Sequence, residues 1–248
     1  MIPIRIGKIP KLLVEHKNST VPNDANYKPT YENLSKKAKE ELKTSLLKDQ
    51  DYICAYCMKS IDENTMSIEH FCSKSRYNGT IKGFLDLSLD YQNLLAVCEN
   101  TGEHCDKFRS QKTEKIEVLG QSKTVQKEFL HLPNPKGADM KNIRFDYGKS
   151  SFKISCTDKN IETELEELLN LNGQTLRDNR KNVWNKIEQR LSAKTKPNKT
   201  WVSSEAVIRE AQKIYDEYKP NNKGKNKPYC GFVCYMLLKI FGNQIKPH

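Results

Sequence analysis

Four cysteines stand in two groups, Cys54-x-x-Cys57 and Cys98-x6-Cys105, and between the groups lie Glu69-His70 and Asn93. Deprotonated sulfur is soft, and Zn²⁺ takes such ligands in a closed tetrahedral shell. One zinc on Cys54, Cys57, Cys98 and Cys105 would staple two distant stretches of chain. The loop Asn100-Thr-Gly-Glu-His104 accounts for the wide second spacing, and His104 is not needed once four thiolates fill the shell. The groups between the thiolates suit other chemistry. A histidine titrates near neutrality and is fitted to proton transfer. Asp106 directly follows Cys105; in the first turn of a helix an acid is also favourable against the helix dipole. Asn93 is either an ordinary turn residue or a loop clamp, since its amide can both donate and accept.

The order of these parts resembles the zinc-bearing HNH endonucleases, a branch of the ββα-metal nucleases. The matching features are Cys54-x-x-Cys57, Ile68-Glu69-His70, Asn93-Leu94, then Cys98 and Cys105 leading into a helix. The resemblance implies an α+β fold: a zinc-stapled ββα-metal (HNH) core with an N-terminal helix and a mostly helical C-terminal extension. It implies that His70 is the general base, that Glu69 and Asp106 hold a catalytic Mg²⁺ or Mn²⁺, and that Asn93 holds the loop that orients His70. Two features depart from the pattern. The second cysteine spacing is wider than a usual knuckle, and Asp106 stands where the family has His or Asn.

Further stretches are similar to the HNH subunit, PtuB, of Septu-type and retron-associated anti-phage defence systems. They are Lys8-Ile-Pro10, Tyr52-Ile-Cys54-Ala-Tyr-Cys57, Glu69-His70-Phe71, His104-Cys105-Asp106-Lys107, Asn142-Ile-Arg-Phe-Asp146, Leu169-Asn-Leu171-Asn172, and Leu176 with Arg180. This resemblance implies an ABC/SMC-like ATPase as partner and, in some retron systems, a reverse transcriptase with its DNA–RNA product. DNA is the default substrate, and host tRNA is the alternative. A second reading needs no chemistry at all: a zinc-stapled module that binds nucleic acid or protein.

The elements that must position these groups follow from patterning. Residues 1–17 read as an extended apolar–basic arm, because Pro3 and Pro10 block helix through residue 10. Thr30 is placed to cap a helix from Tyr31 to about Lys48, with Leu34, Ala38, Leu42 and Leu46 as its apolar stripe. Residues 51–70 fit a hairpin turning at Asp62-Glu63-Asn64, with Met66 to His70 as second strand and Ile68 inward. Neighbouring side chains on a strand face opposite ways, so Glu69 and His70 can serve one cation only if the strand ends there. Lys74, Arg76, Tyr77 and Lys82 follow in the next loop, and a helix from Cys105 through Lys107, Arg109, Lys112 and Lys115 follows the second knuckle. Lys74, Arg76, Lys107 and Arg109 are the candidate nucleic-acid contacts. A hairpin over 143–154 precedes helices capped by Asn160 and by Ser203 or Ser204, the basic linker 192–200, and an apolar helix from Tyr229 to Phe241. Three regions result: arm and loop over 1–30, nuclease core over 31–118, and hairpin plus helices over 119–248.

The balance of charge fits a polyanionic partner. The chain of 248 residues carries 42 Lys and Arg against 31 Asp and Glu, a net charge of +11. Each phosphate contact releases counterions, which favours basic surfaces on nucleic acid. Eight cysteines would suit an oxidised secreted chain, but residues 1–17 lack the apolar core of a signal peptide. The knuckle therefore points to reduced thiols and a cytoplasmic setting. The longest apolar stretch, Gly231 to Phe241, is too short to span a membrane.

Overall fold

The computed structural model describes residues 1–20, 27–76, 86–118, 120–194, 204–220 and 224–246. The arm departs from the expectation after Pro10. Helix α1, Lys11–Lys17, starts directly behind that proline. Proline's fixed φ suits the entry to a helix, where its missing N–H is no loss. No side chain of α1 caps it. Instead Glu41 of the next helix accepts from Lys11 N at 3.3 Å and Leu12 N at 2.9 Å.

Helix α2, Lys36–Asp49, is capped by Ser35, whose hydroxyl accepts from Ala38 N. Thr30 does not cap it; it exchanges hydrogen bonds with Asn33 in the preceding turn. Leu34, Ala38, Leu42 and Leu46 are buried, so the apolar stripe faces the core as its spacing requires.

The expected 51–70 hairpin does not form as one ladder. Strand β1, Met66–His70, pairs antiparallel with β2, Leu94–Cys98, in the register Met66↔Cys98 to His70↔Leu94. The 51–60 segment keeps only an isolated bridge, Ile53↔Ser60. Its backbone curls to present sulfur: Cys54 N donates to Lys59 O at 2.8 Å, and Asp51, Tyr52 and Met58 adopt positive φ. β2 wins as partner because every one of its residues is buried, and an apolar strand needs both a ladder and cover. Ile68 lies only half-buried on β1, whereas Glu69 and His70 are buried.

The middle of β2's outer edge is closed by a side chain. Gln50, at the end of α2, donates through Nε2 to Ala96 O at 2.7 Å and accepts at Oε1 from Ala96 N at 2.7 Å. Nε2 also donates to Ile53 O at 3.0 Å. One amide thus joins α2, the first knuckle and β2.

Helix α3, Cys105–Arg109, is much shorter than the expected helix through Lys115. The chain turns and enters β3, Thr113–Val118, which pairs with β4, Gln121–Gln126. Thr113, Ile116 and Val118 are β-branched, which favours the strand over a longer helix. Together β1, β2 and α3 make a strand–strand–helix unit around the cysteines.

The hairpin of β5, Phe145–Tyr147, and β6, Ile154–Cys156, forms where the alternation places it. Asp158, not Asn160, caps α4, Lys159–Glu167. Helices α5, Gln174–Ser192, α6, Glu205–Tyr218, and α7, Cys230–Phe241, follow. Trp184 of α5 is buried against Phe232 of α7, ring centroids 6.2 Å apart. Cys230 and Cys234 are buried core residues of α7. Tyr77, Lys82, residues 195–200 of the basic linker and Ser203 lie outside the described residues. Apolar packing runs as one connected cluster from Met1 to Ile245. Among the described residues no helix is long and apolar enough to cross a membrane.

The Gln50 clamp gives a direct test. Gln50→Leu keeps the volume but leaves Ala96 N and Ile53 O without this partner. We expect a loss of about 2 kcal/mol in urea unfolding, at unchanged m-value.

Candidate metal centre and acid–histidine site

Cys54, Cys57, Cys98 and Cys105 converge, and all four sulfurs are buried within 4.8 Å of one another. Cys54 and Cys57 come from the knuckle, Cys98 ends β2, and Cys105 starts α3 with a positive φ of 57°. The sulfurs of Cys54 and Cys105 are 3.9 Å apart and those of Cys57 and Cys98 3.7 Å. A zinc–sulfur bond of about 2.3 Å in a tetrahedron sets an edge of about 3.8 Å, so the donor set fits that ion.

Electrostatics agree with that fit. Burial opposes charge on Cys54, yet hydrogen bonding with Cys105, Cys57 and Cys98 holds it well below the ordinary thiol range. Burial, then hydrogen bonding with Cys54, Cys57 and Cys98, pushes Cys105 well up. Four crowded sulfurs cannot all ionise by themselves, and a dication removes that conflict. His104 stands beside the cluster, its Nδ1 3.2 Å from Cys105 Sγ and 3.7 Å from Cys98 Sγ. It is outside the group of four, where an N–H can support thiolate charge. Cys72, half-buried near His70, is not part of the cluster.

Glu69 and His70 end β1 and face different neighbours. Glu69 meets α3. Its Oε1 accepts from Arg109 Nη1 at 2.7 Å and from the Tyr56 hydroxyl at 3.4 Å. Burial, then the charge of the adjacent Asp106 carboxylate, raises its pKa well above the usual range, against the pull of Arg109. Arg109 is fully buried, also bonds Glu128 at 3.3 Å, and lies 4.2 Å from the Phe129 ring centroid. It therefore corrects the sequence expectation: a guanidinium that neutralises two interior carboxylates does not face a nucleic acid. Glu69 and Glu128 share this single guanidinium, and the Asp106 carboxylate is near enough to Glu69 to hold its proton on. An adjacent acid pair of this kind is one on which a hard divalent cation would replace the shared proton.

His70 meets the loop on the other side. Its Nε2 lies 3.0 Å from the Ser88 carbonyl. A carbonyl only accepts, so Nε2 carries the proton and Nδ1 keeps a lone pair. Burial lowers the His70 pKa to about 4, so the ring is neutral at ordinary pH. Asn93 fixes the same loop. Its Oδ1 accepts from Cys72 N at 2.7 Å, and Nδ2 donates to Cys72 O at 2.9 Å and Leu87 O at 3.1 Å. Leu87 precedes Ser88, so Asn93 and His70 grip adjacent carbonyls.

The remaining basic candidates differ in setting. Lys74 is paired with Glu32 at 2.8 Å, Arg76 is paired with Glu114 of β3, and Lys107 sits half-buried in α3. Sequence reasoning had no pattern for Tyr56, Glu128 or Tyr31, which reach the site by folding alone. Tyr31 packs perpendicular to the His70 ring at 4.7 Å. A cavity of about 280 Å³ opens beside His104, between the 102–104 loop, α3 and the start of α5, and Glu69, His70 and Asp106 do not line it.

No family model matches the chain. Over 93 residues it is 36% identical to a protein of retron Ec83 from Escherichia coli that carries the provisional name HNH endonuclease. The aligned part is 32% of this chain and spans only 35% of that relative. The similarity thus relates part of the chain to a retron protein named for the HNH family. The structure adds an α+β fold with short antiparallel strand pairs and a buried four-cysteine centre able to hold a structural metal ion.

Two outcomes follow. Purified protein should carry about one zinc per chain, and Cys98→Ser should lose both the metal and cooperative unfolding, read by elemental analysis and circular dichroism. The second concerns pH. The unfolded chain protonates His70 near 6.5 and the folded chain only near 4. Its contribution is therefore complete above about pH 6.5 and is lost, by about 1.4 kcal/mol per pH unit, as pH falls toward 4. Urea midpoints at pH 7 and pH 5 should converge in His70→Asn relative to the unsubstituted protein.

Proposed function

We propose that this chain is an HNH-type, metal-dependent endonuclease that hydrolyses phosphodiester bonds, with DNA as substrate. The observation that carries the reading is the His70 ring. It is neutral, its Nε2–H is anchored on Ser88 O, and it sits at the end of the strand that also delivers Glu69 to Asp106. In this reading His70 Nδ1 takes a proton from water, the resulting hydroxide bonds to phosphorus, and the bond to the leaving oxygen breaks. Glu69 and Asp106 would hold Mg²⁺ or Mn²⁺, which would supply charge neutralisation at the phosphate. Arg109 and Tyr56 fix the orientation of Glu69. Asn93 fixes the loop on which His70 leans, and a zinc on the four cysteines would tie the knuckle and β2 to α3.

The likeness to a retron protein supports a wider setting. We propose that the chain works as the effector of an anti-phage complex with an ABC/SMC-like ATPase, and in a retron with a reverse transcriptase and its DNA–RNA product. Exposed Ile6, Ile9 and Val14 on and beside the N-terminal arm offer apolar surface for that ATPase. Co-purification with the neighbouring gene products checks the complex, and the pair Ile6→Asp and Ile9→Asp, which leaves the buried Met1 and Leu13 in place, should weaken it.

The chemistry is tested with His70→Ala and Glu69→Gln, each purified with its zinc and incubated with duplex DNA and, separately, total tRNA, with and without Mg²⁺. Cleavage should fall at least about 100-fold for His70→Ala and should need Mg²⁺ or Mn²⁺ in the parent protein. Cleavage of tRNA alone would move the substrate to RNA. Undiminished cleavage by His70→Ala would reject the base, and no cleavage by any form of the complex would leave a zinc-stapled binding module.

A further inference from the structure

His70 is only 5% exposed, so whatever meets it must pass the groups that cover it. The cover is a small charged cluster from the turn before α2, from α2 itself and from the segment after β1. Tyr31, just before α2, packs on the imidazole. Lys74, four residues after His70, places its ammonium 4.8 Å from the Tyr31 ring centroid, and Lys39 of α2 places its own at 5.4 Å. Between the two lysines stands Glu32. Its carboxylate accepts from Lys74 Nζ at 2.8 Å and its backbone carbonyl from Lys39 Nζ at 3.3 Å.

This arrangement has three properties of a strand-binding subsite. It joins an aromatic face to paired ammonium groups, the combination that holds single nucleic-acid strands by stacking and by phosphate contact. It touches the candidate base directly. Its one anion, the Glu32 carboxylate, has 65% of its side-chain surface exposed, and Lys74 has 38%. An exposed ion pair of this kind is weak and readily exchanged. The Lys74 ammonium keeps Glu32 below the ordinary carboxylate range, so the carboxylate is charged whenever it competes.

We propose that Tyr31, Lys39 and Lys74 bind the nucleic-acid strand next to the scissile phosphate, and that Glu32 occupies the phosphate position until substrate displaces it. This rests on the nuclease reading of His70 and adds to it the residues that deliver the strand. On binding, Lys74 exchanges the Glu32 carboxylate for a backbone phosphate. As the two ammonium groups swing from the Tyr31 ring toward the phosphates, that face becomes free to stack on a base. Phosphate contacts of this kind position a strand without reading its sequence.

The test is equilibrium binding, so it does not depend on turnover. Fluorescein-labelled single-stranded DNA, duplex DNA and RNA oligonucleotides of one length are titrated with full-length protein in EDTA-free buffer without Mg²⁺. Anisotropy is read at several salt concentrations, and zinc content is checked for every variant. Glu32→Gln should tighten binding about fivefold at low salt, the scale of an exposed ion pair. Lys74→Ala should weaken it and reduce the slope of log K against log salt by about 1. Tyr31→Leu should weaken single-stranded binding about tenfold and duplex binding less. A preference among the three oligonucleotides identifies the strand type.

Three results overturn the proposal. Affinity and salt slope unchanged in both Glu32→Gln and Lys74→Ala, in protein that still cleaves, would remove the subsite and leave the nuclease reading intact. Weaker binding by Glu32→Gln would show that this carboxylate supports the strand rather than competing with it. Absence of both binding and cleavage of every oligonucleotide, by the parent protein alone and in its complex, would remove both readings together.

Discussion

The convergence of four buried sulfurs is the constraint on which the nuclease-like core depends. Cys54 and Cys57 lie on a curled knuckle, Cys98 closes β2 and Cys105 opens α3. None of these three pieces is stable by itself: the knuckle has strained backbone, the β1–β2 ribbon has only two strands, and α3 is barely more than one turn. A metal ion that ties them to one point turns local weakness into a fixed frame, because its binding energy becomes folding energy. The position of Asp106 follows directly, since it is the residue next to Cys105. That of Glu69 follows through the register of β1 on β2.

The interior of the site is organised by charge rather than by apolar contact. Arg109 reaches inward from α3 to Glu69 and Glu128 and lies against Phe129. Glu128 in turn accepts from Ser73 N at 3.0 Å, in the stretch that follows His70. A guanidinium is suited to this because its rigid fork can serve two carboxylates at once. Such a network is costly to build half-way, since one missing partner leaves a buried charge. The strand that carries the acid and histidine is thereby tied to α3 and to the segment beyond β4 at the same time.

Much of this was legible in the sequence where a pattern is local. The cysteine spacing predicted a cluster that the fold brings together. The period-four stripe of Leu34, Ala38, Leu42 and Leu46 and the alternation around Gly148 predicted buried faces and a hairpin that are present. What stayed hidden depends on partners far along the chain. Pro10 reads as a break in helix, yet α1 exists because Glu41 caps it from another helix. The 51–60 segment has strand-like residues, yet its backbone is spent on turning sulfur inward, and β1 takes its ladder from β2 instead. Arg109 reads as one of several basic residues on a surface helix. Only the arrival of Glu128, 19 positions later, makes it interior.

Gln50 has a consequence of a different kind. A two-stranded ribbon ordinarily has open edges, and each is a template on which another strand can grow. On β2 the donor and acceptor of Ala96 are already taken by an amide that ends in a side chain, with Ala55 N adding a second bond to the same carbonyl at 3.1 Å. A side chain carries no next residue, so it satisfies the edge without continuing the ladder. The strand that ends at Cys98 is therefore sealed at its centre against recruitment by a neighbouring molecule. An apolar strand such as Leu94–Cys98 would otherwise be open to sheet-like association along that edge.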